Sequence, residues 1–341
     1  MTTLVTGASG FLGSHIARLL AQRGERVRVL LRPTSRTGLL EGLVLERVAG
    51  DLCDPASLAQ ALAGVQTVYH VAADYRLWAR DPAEIYESNV QGTRNLLEGA
   101  ARAKVEKFVY TSTVGTVAVP RDGVVPDEST VTSLNEMIGA YKRSKWLAEH
   151  EARKAAAAGL PVVIVNPTTP VGPGDAKPTP TGRIIIDFLK GRMPAYVDTG
   201  LNFVPVEDAA AGHLLAARRG RIGERYILGG ENLTLKQALD ILSQASGRPA
   251  PRVRVPHTLA LAAGYADAVL SRVVGREPHI PLDGVRMARH SMFVNAEKAR
   301  AELGFSPGPV AAAFERAVHW YVSRGYVPAT NRAPKTAARA A

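Results

Sequence analysis

Short apolar runs alternate along the chain with longer stretches in which apolar positions recur every three or four residues. The runs are Leu4-Val5-Thr6, Val27–Leu31, Leu45–Val48, Thr67–Val71, Lys107–Thr111 and Pro161–Val165. A run this short and this little interrupted suits a strand buried on both faces. Between the runs, Ser14–Arg23, Ala56–Leu62, Ile85–Ala103 and Tyr141–Ala158 carry the helical period. Ile16, Leu19 and Leu20 mark the first of these helices, and Gly24 ends it. Strand and helix take turns with short connections, which predicts an α/β fold built on a doubly wound parallel sheet. Later in the chain the order is less regular. Asn202–Val206 and Arg225–Leu228 are expected as further strands of the same sheet. Pro256–Gly275 is the most apolar helical stretch, interrupted by Asp267 and Arg272. It is expected as a core helix; the other reading is an amphipathic helix that touches a membrane and admits a lipid substrate.

Composition narrows the class. With 341 residues, of which 46% are hydrophobic, 21% charged and 6% aromatic, the chain reads as globular and long enough for one large core or two smaller ones. A single cysteine, Cys53, excludes an intrachain disulfide and a cysteine-built zinc cage. No cluster has metal-ligand spacing, and no metal is expected. No run of about 20 apolar residues predicts a membrane span. The opening Met1–Gly7 lacks the basic start and apolar run of a secretory signal, so a cytoplasmic location is expected. The net charge is +11, but the arginines are spread, and even Arg218-Arg219-Gly220-Arg221 has no interleaved aromatics. That pattern suits a solvated basic surface better than a nucleic-acid site.

The first candidate chemistry lies between the first strand and the first helix. In Gly7-Ala8-Ser9-Gly10-Phe11-Leu12-Gly13, Gly7 permits a tight turn, Gly10 lets backbone approach a pyrophosphate, and Gly13 allows close helix–strand packing. The helix start then offers free N–H groups to the anion. Gly7, Ser9, Gly10, Phe11, Leu12 and Gly13 are therefore expected to hold a dinucleotide, which makes the sheet of the Rossmann type. Residues 1–167 plus about 200–230 would form this dinucleotide-binding domain. About 168–199 plus 231–325 would form a smaller, discontinuous C-terminal substrate lobe, and 329–341 a frayed tail. No acid ends the second strand, where one would favour NAD; Arg32 stands there, with Arg36 nearby. A guanidinium suits a 2′-phosphate, so NADP is preferred, with NAD the alternative. Asp51 and Leu52 are placed to face the adenine, and Val71, Ala72 and Ala73 put small side chains beside the cofactor.

Tyr141 and Lys145 are four residues apart on a predicted helix and share a face. A tyrosine with a pKa of about 10 is a poor base at neutral pH. A neighbouring ammonium, together with the positive nicotinamide ring, is expected to favour the phenolate and lower that pKa. Thr113, after the fifth strand, is positioned to donate its hydroxyl to a substrate carbonyl oxygen while Tyr141 supplies the proton.

These segments together resemble the extended short-chain dehydrogenase/reductase superfamily, within the NAD-dependent epimerase/dehydratase family. Thr6-Gly7-x-x-Gly10-x-x-Gly13, Asp51-Leu52, His70–Ala73, Asn89-Val90-x-Gly92-Thr93, Tyr110–Thr113 and Tyr141-x-x-x-Lys145 match its motifs in order, over about residues 2–325. The resemblance implies Thr113, Tyr141 and Lys145 as catalytic, and Asn89, Thr111 and Pro167 as cofactor neighbours. Ala72–Trp78 and Asn166–Asp175 are most similar to hopanoid-associated sugar epimerases and to dihydroflavonol-reductase-like enzymes. Sugar-nucleotide epimerases usually carry Arg-Pro-x-Asn-x-Tyr-Gly-Pro after the sixth strand. Here Asn166, Thr169 and Val171 stand at the Arg, Asn and Tyr positions. The resemblance implies a small-molecule substrate, such as a sugar or a lipid-linked sugar, and a homodimer.

Tyr75, Trp78 and Tyr86 suit either a pocket lining or simple packing, and Thr168 is a further substrate candidate. His70 reads as a hydrogen-bonded core histidine, and Glu207-Asp208 as a helix N-cap. Three functions fit: an NAD(P)-dependent epimerase, an NADPH-consuming carbonyl reductase, and a cofactor-binding regulatory protein. An intact Tyr141/Lys145 pair argues against the third.

Overall fold

The computed structural model describes residues 1–119 and 124–327; the expected tail lies outside them. In chain order the elements are β1 (Thr2–Thr6), α1 (Phe11–Gln22), β2 (Arg26–Leu31), β3 (Glu46–Ala49), α2 (Pro55–Leu62), β4 (Thr67–His70) and α3 (Ala83–Tyr86). A π-helical turn over Glu87–Gln91 leads into α4 (Gly92–Arg102), followed by β5 (Lys107–Thr111), α5 (Gly139–Ala157) and β6 (Val162–Pro167). Then come β7 (Thr169–Val171), α6 (Pro180–Leu189), β8 (Ala195–Val197), β9 (Gly200–Pro205), α7 (Val206–Arg219) and β10 (Arg225–Leu228). The chain continues through β11 (Glu231–Thr234), α8 (Leu235–Ser246), β12 (Val253–Val255), α9 (His257–Val274), α10 (Leu282–Met287) and α11 (Val310–Ser323).

Seven strands pair in parallel in the order β10-β6-β5-β4-β1-β2-β3. Strand order reverses between β1 and β4, and in such sheets ligands bind at the carboxyl ends beside that reversal. Both faces are buried, which is why the strands read as apolar runs. Val5, Val29, Val109 and Val163 point to one face, against α1 and α7. Their neighbours Leu4, Leu30, Phe108 and Ile164 point to the other, against α2, α4 and α5.

Three expectations need correction. First, Asn202–Val206 does not extend the main sheet: β9 belongs to a separate sheet of order β11-β9-β7. The free edge of β6 is already taken by β10, which pairs with it from Arg225↔Ile164 to Leu228↔Pro167. β9 therefore pairs with β7, which continues the chain beyond β6. Second, Glu207 and Asp208 do not cap α7. Pro205 takes the cap position without a side-chain bond. Glu207 instead pairs with Arg316 at 3.1 Å, and Asp208 accepts from the Gly308 N–H at 2.8 Å. Third, α9 is not a core helix. Only Gly264 and Ser271 in it are buried, and the core formed by α6, α8 and α11 closes without it.

Candidate active site

The glycine turn has the geometry its spacing predicts. Gly7 leaves β1 at φ +70°, a conformation few other residues adopt. A Cβ there would lie 2.6 Å from the Ala72 backbone nitrogen, so glycine lets β1 and the end of β4 close on each other. A Cβ on Gly13 would overlap the Gly7 carbonyl. Gly10 is exposed, and its Cβ would meet only the Gly7 oxygen, at 3.2 Å. The space above the turn is open. Gly10 caps α1 without a side-chain bond, and no acid stands in the first turn. Unpaired N–H groups and the positive end of the helix therefore face that space, which fits the pyrophosphate of a dinucleotide. Ser9, Phe11 and Leu12 are half-buried in the same turn.

Around it, Arg32 and Arg36 are exposed beyond β2. The Arg32 backbone is held by the Ser35 hydroxyl at 3.1 Å, while its guanidinium has no hydrogen-bond or ion-pair partner among the described residues. Asp51 accepts from the Cys53 N–H at 2.9 Å. Leu52 is buried against Gly92, and its carbonyl takes the Asn95 amide at 2.9 Å. Val71, Ala72 and Ala73 are half-buried at the end of β4. Pro167 is buried at the end of β6.

Thr113, just past β5, accepts from the Gly115 N–H at 3.1 Å. Tyr141 sits one turn before Lys145 on α5. Burial pushes the Tyr141 phenol above its ordinary value, against a hydrogen bond with Thr113 that pulls it down. Thr113 and Tyr141 are thus brought together. The expected ammonium–phenol contact is a correction, because Lys145 is engaged elsewhere. Its Nζ donates to the Thr111 carbonyl at 2.7 Å and lies 4.6 Å from the centre of the Tyr110 ring. Only 2% exposed, Lys145 is pushed down to about 7 by burial, with the charge of Glu149 partly opposing. The phenol's shift is upward because burial outweighs its polar neighbour.

Glu149, which the sequence reading missed, completes the helix face. It follows Lys145 by four residues, as Lys145 follows Tyr141, and only its position in that series could have signalled it. It is 4% exposed and accepts from Ser112 at 2.6 Å, Thr116 at 2.9 Å and the Asn166 amide at 3.0 Å. Burial alone would push Glu149 up. Hydrogen bonds from Ser112 and Thr116 and the charges of Arg225 and Arg153 carry it below the ordinary carboxylate range. Arg225 reaches it from β10 at 3.4 Å, and also donates to the carbonyls of Glu128 and Thr130. Asn166 also lies 3.0 Å from the Thr113 carbonyl, so the network ends directly behind Thr113.

Other candidates are used structurally. Asn89, expected at the cofactor, gives its amide hydrogens to the Asp74 carbonyl and the Ser144 hydroxyl, each at 2.9 Å, and accepts from the Asp74 N–H at 2.7 Å. It fixes the loop after β4 to α5 from within the π turn. The Thr111 hydroxyl turns away to His213, at 3.1 Å, so its link to the site is its carbonyl. Thr168, expected at the substrate, is buried with its hydroxyl on the Leu228 carbonyl at 3.3 Å. Tyr75 donates to the Lys177 carbonyl at 2.9 Å, joining the β4 loop to the segment after β7. Trp78 is exposed and Tyr86 half-buried. His70 bridges Thr6 at 2.8 Å and Thr93 at 2.9 Å, a core role.

Comparison with known proteins agrees with this geometry. The profile of the NAD dependent epimerase/dehydratase family matches residues 3–229. A Synechocystis protein provisionally named a dihydroflavonol 4-reductase is 47% identical, over 95% of this chain and 95% of its own. Sterol demethylase protein B of Methylococcus capsulatus is 40% identical, over 96% of this chain and all of its own. A crystal structure described as a nucleoside-diphosphate-sugar epimerase from Pseudomonas aeruginosa superposes with a TM-score of 0.79 at 30% identity, covering 96% and 99% of the two chains.

Proposed function

The chain belongs to the NAD dependent epimerase/dehydratase family, and from that premise we propose that it transfers a hydride between a nicotinamide cofactor and a carbonyl or hydroxyl carbon of a small molecule that is not a free nucleotide sugar. The observation that carries the chemistry is that Thr113, just past β5, and Tyr141, on the first turn of α5, come together at the carboxyl end of the parallel sheet, the same end as the glycine turn.

The cofactor supplies or accepts the hydride. The chain's own residues manage the oxygen. In reduction, Thr113 and Tyr141 donate to the substrate carbonyl oxygen and stabilise the negative charge that develops there. Tyr141 then passes its proton to that oxygen. The raised phenol suits this direction, because it keeps the proton on Tyr141 until the substrate takes it. Lys145, fixed on the Thr111 carbonyl, holds α5 against the end of β5 one turn from Tyr141.

The substrate argument rests on charge. A nucleotide diphosphate needs positioned Arg or Lys donors. At the position where sugar-nucleotide epimerases carry Arg stands Asn166, whose amide faces Glu149, and nearby Arg225 is committed to Glu149 and two backbone carbonyls. The name of the Synechocystis relative speaks for a reductase, and that of the Methylococcus relative for work on a sterol; neither names a nucleotide sugar. The epimerase reading, hopanoid-associated sugars included, uses the same residues and differs only in consuming no net cofactor.

The test incubates the protein with NADPH and a panel of ketones and aldehydes, and separately with UDP-glucose and UDP-galactose. NADPH consumption by a carbonyl compound is expected. Interconversion of the two UDP-sugars at about 1 per second or faster would overturn the reading.

A further inference from the structure

α9 carries an apolar face that none of the described residues covers. Leu259, Ala262, Ala263, Ala266, Val269, Leu270, Val273 and Val274 are all exposed. At 100° per residue they fall on one stripe, about 140° wide, running the length of the helix. Val273 is 80% exposed and Val269 65%. Such a stripe on a soluble surface marks an interaction site.

The segment that carries the stripe is positively charged. Residues 251–290 hold six arginines against three acids. All three acids are paired: Asp267 with Arg276, Glu277 with Arg183, Asp283 with Arg286. Arg252, Arg272 and Arg289 are exposed and have no ion-pair partner among the described residues. A second copy would bring like charges together. It would also need roughly 800 Å² of surface per partner, where one helix of 18 residues offers a footprint on the order of 300 Å². An anionic bilayer needs no matched counter-surface and complements the arginines. No helix among the described residues is long and apolar enough to cross a membrane.

We propose that α9 is a docking helix that lies in the interface of a membrane with anionic lipids, its stripe among the acyl chains and its flanking arginines on the headgroups. The placement has a purpose. α10 packs on α9, its Asp283 meets Gly139 at the start of α5, and its Gly284 faces Leu77. Docking through α9 thus sets the mouth of the Tyr141 site beside the bilayer. The proposal stands whichever substrate Tyr141 serves.

The test is sedimentation of the full chain with phosphatidylcholine vesicles, with and without phosphatidylglycerol. Co-sedimentation is expected with the anionic vesicles and should weaken as salt screens the arginines. Val269→Glu with Val273→Glu should reduce partitioning about tenfold or more, with the thermal melt unchanged. Val269→Ser with Val273→Ser is the milder pair should the first not fold. The proposal is overturned if the wild type stays with the supernatant, if both pairs sediment as the wild type does, or if light scattering finds a dimer that either pair splits.

Discussion

Tyr141 and Lys145 answer burial in opposite directions. The phenol is held protonated, while the ammonium is brought near neutrality. Tyr141→Phe removes only the oxygen proposed to pass the proton. We expect at least about a 100-fold fall in kcat with cofactor affinity unchanged, read by steady-state kinetics and fluorescence titration. Near-normal turnover would remove Tyr141 from the mechanism. Arg32 makes the other residue-level prediction. Its exposed guanidinium has no protein partner among the described residues and stands just past β2, where the proposed preference for NADP puts it to use. Arg32→Ala should weaken NADPH on the order of tenfold and leave NADH as it was. Titration of both cofactors decides it; tighter wild-type binding of NADH would refute the preference. The glycine turn was legible because its conformation needs a residue type that few others replace, and the common helix of Tyr141 and Lys145 because their spacing of four fixes it. Glu149 was not, because a carboxylate on a helix reads as solvated until its neighbours are known.

On α5, the inner face reads Tyr141, Lys145, Glu149, and the helix joins chemistry to support. Glu149 accepts the most hydrogen bonds of the three, and its loss would leave the Ser112 hydroxyl without its acceptor and the buried Arg225 charge without its carboxylate. Glu149→Ala should cost about 3–5 kcal/mol, read as a lowered denaturant midpoint at unchanged slope. A loss below about 1 kcal/mol would show that Arg225 is satisfied by its two carbonyls alone. Among the strands, β5 and β10 begin and end where their apolar runs do. The pairing of β9 was illegible, since a run of apolar residues does not say which sheet edge is free. The placement of α9 was illegible for a related reason. Its hydrophobic spacing is the same whether the stripe meets a core or a surface outside the chain.

At the scale of the molecule, two buried histidines tie the layers together and set its acid limit. His70 joins β1 to β4 and α4; His213 joins α7 to β5. Burial pushes His70 down to about 3 and His213 to about 4. Both values lie below the roughly 6.5 of an unfolded histidine, so the unfolded chain binds more protons in between. Their stabilisation is present above about pH 6.5 and is lost as the pH falls toward the folded values, by about 1.4 kcal/mol per pH unit for each. Denaturant melts from pH 7 to pH 5 should show this slope, and His213→Gln should about halve it; a flat profile in the wild type would contradict the burial. The passage from β6 to β7 has another consequence. A single residue, Thr168, separates a strand of the large sheet from one of the small sheet, and both its N–H and its hydroxyl bond to the Leu228 carbonyl. The two sheets are rungs of nearly one extended strand, with no length of chain to act as a hinge. Heat should then melt both as one cooperative unit, giving a single calorimetric peak whose van't Hoff and calorimetric enthalpies agree, and two resolved peaks would show that the strand parts at Thr168.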